Sequence, residues 1–274
     1  SPTRKGDKRN GILSGKVAKN GNIRDYTDLL HLVILNNLQN TNAELIEEKK
    51  PQCERLIRLN HSARRQMKVL KDNKNIKDLK IVTCHLGQGS SICAVEGGKS
   101  IDTSMGLTPL GGIPMVTRSG DLDPSVLTYI MKKENISAGE MEDILNKKSG
   151  VAGISGLAPD FRVIETASNE GDEKAEIAME SFKYAVASYI AKYAVAMNGV
   201  DYFIFTGGVG ENQINIRKGI CEKLGFMGVE IDADENNMRG EEKVISKPES
   251  KVKVYVIPTN EELMIAKETM RLAK

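Results

Sequence analysis

The stretch LKIVTCHLGQGSSICAVEGGKSIDT, Leu79–Thr103, decides how the chain is built. Leu79–Cys84 and Ser91–Val95 are short apolar runs that predict strands, and Ser100–Thr103 predicts a third after the Gly97-Gly98 turn. A plain hairpin needs one or two permissive residues at its tip. Here the link from the first run into the second is His85-Leu86-Gly87-Gln88-Gly89-Ser90-Ser91, with glycine at 87 and 89. Such a segment is either an ordinary turn or a set of backbone N–H groups, clear of side chains, that can wrap an anion.

Working outward, the next signals are helical. Asp123-Pro124 supplies a cap and a first-turn proline. Ser137-x-x-Glu140 is a capping box, opening a helix expected to end near Gly150. Asp172–Met197 has the spacing of one long helix, closed by Asn198-Gly199. DYFIFTGG (201–208) is a continuous apolar run of the kind found in strands covered on both faces. A helix over Ile214–Leu224, the strand VKVYVIP (252–258) and a last helix from Thr259 follow. Three strands in a meander, then helices, strand, helix, strand, helix, make an α/β domain: a mixed sheet flanked by helices.

Composition sets the bounds. With 274 residues, 39 Lys+Arg against 37 Asp+Glu and a net charge of +2, nothing in the overall charge asks for nucleic acid or a membrane surface. No apolar run reaches the ~20 residues that span a bilayer, and no secretory leader stands at Ser1, so a cytoplasmic protein is expected. Cys53, Cys84, Cys93 and Cys221 lack CxxC spacing and only three histidines are present, so reduced buried thiols are expected rather than a zinc site. Residues 1–24 carry seven Lys/Arg, four glycines and one acidic residue, which predicts a solvated arm. Residues 25–48 could form a helix near Leu29–Leu38. Residues 53–71 are basic (Arg55, Arg58, Arg64, Arg65) but have no interleaved aromatics, which argues against nucleic acid.

Four segments could carry chemistry. Gly207-Gly208-Val209-Gly210-Glu211-Asn212 follows an apolar strand and precedes a helix, where α/β sheets bind ligands, although three glycines in four residues also suit a tight turn. Arg118, within Thr117-Arg118-Ser119-Gly120-Asp121, either pairs with a surface carboxylate or clamps an anion. Glu262 belongs to a capping box begun by Thr259, which leaves Glu261 available to a cation. Asp160-Phe161-Arg162 is open to either reading.

The order of these segments is more telling than any one of them. HLGQGSS, DTSMGLTPLGG, TRSGDLDP, GISGLAPDFR, FTGGVGEN and IPTNEELMIA, in that line, closely resemble the C-terminal domain of the acetate kinase family, over about residues 74–274. The resemblance implies a ribonuclease-H-like, actin-like ATPase domain and a homodimer. It implies transfer of the γ-phosphoryl group of ATP to acetate or propionate, with magnesium as the metal. It assigns His85, Leu86, Gly87, Gln88 and Gly89 to the ATP phosphates. Gly208, Val209, Gly210, Glu211 and Asn212, with Asp160, Phe161 and Arg162, fall to the rest of the nucleotide. Arg118 would stabilise the transition state and Glu261 would help hold magnesium.

Some positions depart from the family pattern. Gln88 stands where the family usually has asparagine. Ungapped register puts Ile57 in place of a catalytic histidine, while His61 matches a second histidine. Residues 1–73 show none of the family's N-terminal phosphate loop, substrate arginine or catalytic aspartate, and form a divergent, partly helical or disordered segment. Two functions therefore stand side by side: a carboxylate kinase slow as this chain alone, and a non-catalytic nucleotide-binding or dimerisation module.

Overall fold

The computed structural model describes residues 78–259 and 269–270. The solvated arm, the helix near Leu29–Leu38, Ile57, His61, Cys53, Glu261 and residues 260–268 of the final helix expected from Thr259 lie outside the described residues.

Strands β1 (Lys80–His85), β2 (Ser91–Glu96) and β3 (Lys99–Thr103) form the expected antiparallel meander. Gly97 and Gly98 both take positive φ at its second turn, 58° and 79°, the backbone of a tight hairpin. β4 (Tyr202–Thr206) adds parallel to β1, and β6 (Lys253–Val256) parallel to β4. A two-residue strand, β5 (Lys243–Val244), closes the edge antiparallel to β6, giving the order β3-β2-β1-β4-β6-β5. An antiparallel meander followed by parallel strands is the ribonuclease-H-like arrangement. The three parallel strands start in step because Asp201 ties them: its carboxylate and N–H bond Lys80, and its carbonyl accepts from Lys253 N.

Side chains alternate between two apolar layers, as the twofold period of a strand requires. Val82, Cys84, Ile92, Ala94, Phe203, Phe205, Val254 and Val256 join the main core. Ile81, Cys93, Val95, Tyr202, Ile204 and Ile257 form a smaller cluster on the other face. The unbroken apolar run of β4 is thus explained: all five residues are buried.

The helices are α1 (Pro124–Glu134), α2 (Ala138–Lys147), α3 (Gly150–Ser155), α4 (Phe161–Asn169), α5 (Glu173–Ala196), α6 (Gly207–Asn212), α7 (Ile214–Glu222) and α8 (Ala233–Asn236). Asp123 caps α1, Ser137 and Glu140 form the capping box of α2, and Asp172 caps α5. Asn198 and Gly199, at φ 51° and 120°, end α5. α5 runs beneath β1 and β2 and packs on α3, α4 and α7. α3, α4, α6, α8 and β5 are not among the elements that the sequence predicts. Cys84, Cys93 and Cys221 are reduced, buried thiols, as expected.

Candidate active site

Three loops meet where β1 and β4 end. The first, Leu86–Ser90, is seated by Leu86: its N–H donates to Thr206 O (2.8 Å), and its carbonyl accepts from Val209 N (2.9 Å) and Gly210 N (3.2 Å). Leu86 is itself wholly buried, so its part is to anchor rather than to face a ligand. Ser90 Oγ accepts from Gly87 N at 3.1 Å and donates to Gly87 O at 3.2 Å, fixing the turn. The N–H groups of Gln88 and Gly89 meet no acceptor among the described residues. Two free, adjacent donors are what an anion-binding turn needs. His85 ends β1, level with Thr206.

The second loop runs from Gly112 to Asp121 and brings in Arg118. A Cβ placed on Gly89 would lie 3.3 Å from Arg118 Nη1, so the guanidinium rests directly against the first loop. Val116 N donates to Gln88 O at 3.4 Å, bonding the two loops backbone to backbone. The carbonyls of Met115, Val116 and Thr117 accept from the N–H groups of Val151, Ala152 and Ser149, satisfying the start of α3. This contact requires glycine at 150: φ is +63° and a Cβ would sit 2.2 Å from Met115 O. Arg118 thus lies against the glycine loop, and no ion pair of Arg118 occurs among the described residues.

The third element is α6. Gly207 has φ +79°, and a Cβ there would collide with Leu86 O at 2.6 Å. Gly208 N lies 3.9 Å from the Cβ position of Gly87, so the glycines at the two strand ends face each other. Asn212 Nδ2 bonds back to Gly208 O (2.9 Å). Glu211 does structural work: its Oε1 accepts from Gly207 N (2.7 Å), Thr259 N (2.8 Å) and Thr259 Oγ1 (3.1 Å), tying α6 to the segment after β6.

One buried cation escaped the sequence reading. Arg217, with no exposed surface, donates to Asn236 Oδ1, Gly210 O, Asn236 O and Met238 O at 2.7–3.1 Å. All four acceptors are neutral, and burial pulls the guanidinium down to about 10. It fixes the back of α6. No local pattern distinguishes it from a surface arginine, since its main partners are 19 and 21 residues away.

Asp160, Phe161 and Arg162 open α4. Asp160 caps the helix and pairs with the exposed Arg162 at 2.6 Å, which holds the Asp160 carboxyl below its ordinary range. The Phe161 side chain is 3% exposed and packs on Phe182, ring centres 4.8 Å apart, so it belongs to the core. No cluster of three His, Cys, Asp or Glu able to hold a metal occurs among the described residues.

A sequence profile of the acetokinase family matches residues 60–267. The chain belongs to the acetokinase family. Acetate kinase from Treponema denticola is 58% identical over 200 residues, covering 73% of this chain and 50% of its own length. Acetate kinase from Carboxydothermus hydrogenoformans is 59% identical over 199 residues, with the same coverage. Among solved acetokinase structures, Porphyromonas gingivalis acetate kinase superposes with a TM-score of 0.73 at 47% identity, covering 78% of this chain and 53% of that one. A propionate kinase from Francisella tularensis gives 0.70 at 44%, covering 76% and 52%. The chain therefore spans about half the length of the acetokinase relatives it matches.

Proposed function

We propose that this chain forms the nucleotide-binding half of a short-chain carboxylate kinase, which transfers the γ-phosphoryl group of ATP to acetate or propionate. The observation that carries the reading is Arg118 Nη1 lying 3.3 Å from the Cβ position of Gly89, beside the N–H groups of Gln88 and Gly89, which meet no acceptor among the described residues. A cation and backbone donors converge on one point, as a transferring phosphoryl group requires. A carboxylate oxygen attacks the γ-phosphorus, the bond to the β-phosphate oxygen breaks, and acyl phosphate and ADP leave. No proton moves and no covalent enzyme intermediate is needed. Every participant is an anion, so charge neutralisation and alignment are the main tasks.

In this reading the Gly87–Gly89 backbone holds the β- and γ-phosphates, and Gly208 and Asn212, on a helix pinned by Glu211 and Arg217, border the adenosine. Asp160 and Arg162 flank it, with Phe161 anchoring their helix. Magnesium would be held by Glu261 with the phosphates, supplying further charge neutralisation; magnesium commonly takes only one or two protein carboxylates beside nucleotide phosphates. Homodimerisation draws support from Ile177, Tyr184 and Val195, which stand on one face of α5 by helical spacing and are 58%, 67% and 82% exposed. The lack of a long apolar helix among the described residues agrees with a cytoplasmic setting.

The test is trapping of acyl phosphate by hydroxylamine, using the full chain with ATP, magnesium and either acetate or propionate. Slow, ATP-dependent hydroxamate formation is expected, falling about 10²–10³-fold in Arg118→Ala, the usual cost of one transition-state donor. No hydroxamate from a chain that binds Mg-ATP would leave a nucleotide-binding module in its place. Turnover indifferent to Arg118→Ala would refute the role given to that residue.

A further inference from the structure

We infer that Asp121 and Tyr189 are positioning residues for Arg118. Arg118 lies within a loop whose two ends are locked together: Asp121 N donates to Gly112 O (2.8 Å), and Asp121 Oδ1 accepts from Gly112 N (2.7 Å). This base is built backbone against backbone. Gly112 has φ +98° with its Cβ position 2.5 Å from Ser104 O, and Gly120 has φ +71° with its Cβ position 2.6 Å from Gly112 O. Ser104 is in turn fixed to β2, its Oγ accepting from Ile92 N at 2.9 Å and its N–H donating to Ile92 O at 2.8 Å.

The other carboxylate oxygen, Asp121 Oδ2, accepts from the Tyr189 hydroxyl on α5. A single side chain thus joins the base of the arginine loop to α5. The Tyr189 ring is itself held: Lys192 Nζ lies 5.0 Å from its centre, and the Tyr193 ring meets it edge-on at 5.8 Å. Asp121 lies on the exposed surface. Without Tyr189 its second oxygen would face water, and beyond Arg118 the loop would keep only its Gly112 contacts and the bond from Ser119 N to Leu145 O (2.9 Å) among the described residues. Arg118, held within the loop by Met115 N to Arg118 O (3.0 Å), would keep its bonds yet lose a fixed bearing on Gly89.

This inference rests on the phosphoryl-binding reading of Arg118 only for its functional meaning, and the experiment separates the two. The full chain is labelled with phenylglyoxal, and the labelling rates of Arg118 and Arg162 are followed by peptide mass spectrometry. Arg162, exposed and paired with Asp160, is the internal reference. In Tyr189→Phe, which removes one hydroxyl, the Arg118-to-Arg162 rate ratio is expected to rise about fivefold, the size of one ordinary hydrogen bond. Asp121→Ala should raise it at least as far, and the double variant no further than Asp121→Ala, because both changes cut the same link. An unchanged ratio in Tyr189→Phe, or additive effects, would overturn the inference. A merely structural role would speed both arginines together and leave the ratio alone. Failure of Mg-ATP to protect Arg118 in the parent would count against the proposed function while leaving the positioning result intact.

Discussion

At Gly207 and Gly208 two adjacent glycines have different reasons to be glycine. Gly207 is forced by positive φ and by Leu86 O at 2.6 Å from its Cβ position, whereas nothing lies within 4 Å of the Cβ position of Gly208. Gly207→Ala should cost about 2–4 kcal/mol, combining left-handed strain with overlap. Gly208→Ala should cost less than about 0.5 kcal/mol, since alanine suits a helix better than glycine. Urea unfolding midpoints check the pair, and the reverse ranking would show the turn to be wrongly described. Sequence alone shows three glycines in four residues but cannot say which is constrained, because the colliding atom belongs to a residue 121 positions earlier. Glu211 is hidden for the same reason. Its three bonds reach partly to Thr259, and no local pattern reveals that they exist.

At the scale of elements, cap chemistry was legible where a box or a first-turn proline marked it, and not at Asp160 or Asp232, whose equally local caps open the short helices α4 and α8. Ser137-x-x-Glu140 forms its box, with Ser137 N to Glu140 Oε2 at 2.8 Å and Glu140 N to Ser137 Oγ at 3.3 Å. Ser137→Ala should cost about 1 kcal/mol by denaturant titration. The Ser137 N–H and hydroxyl hold the Glu140 carboxyl below its ordinary range. A depressed folded value means the stabilisation is complete above the ordinary carboxylate range and fades as pH falls through the depressed one. The difference in stability between the parent and Glu140→Ala should therefore be present at pH 7 and shrink towards pH 3; a difference that grew with acid would contradict the bond. Elements whose first turns are satisfied from afar were not legible. α3 takes its carbonyl partners from residues 115–117, and α6 takes Leu86 O, so both sequences look like glycine-rich loops. β5, two residues long, carries too little pattern to be seen.

Over the whole molecule, the order of strands and helices and the two-sided sheet followed from apolar runs and their alternation, because each strand contributes to both layers. The layers make a chemical prediction. Burial pushes the thiols of Cys84 and Cys221 up, which keeps them protonated and poorly nucleophilic. Native protein should leave Cys84, Cys93 and Cys221 unmodified by iodoacetamide, while guanidinium-unfolded protein should be alkylated at all three. Fast native alkylation of Cys84 would mean that the sheet is open on its α5 face.

What the whole fold delivers is a pair of glycine turns and one arginine around a single point. Gly208→Asp probes that point cleanly, because the space around its Cβ position is open and the fold has room for the side chain, yet that side chain would intrude on the space proposed for the adenosine. The measurement is calorimetric titration of the full chain and of Gly208→Asp with Mg-ATP, alongside their melting temperatures. The account predicts saturable binding by the parent and none by Gly208→Asp at nearly unchanged melting temperature; equal binding by both, or none by the parent, would contradict it.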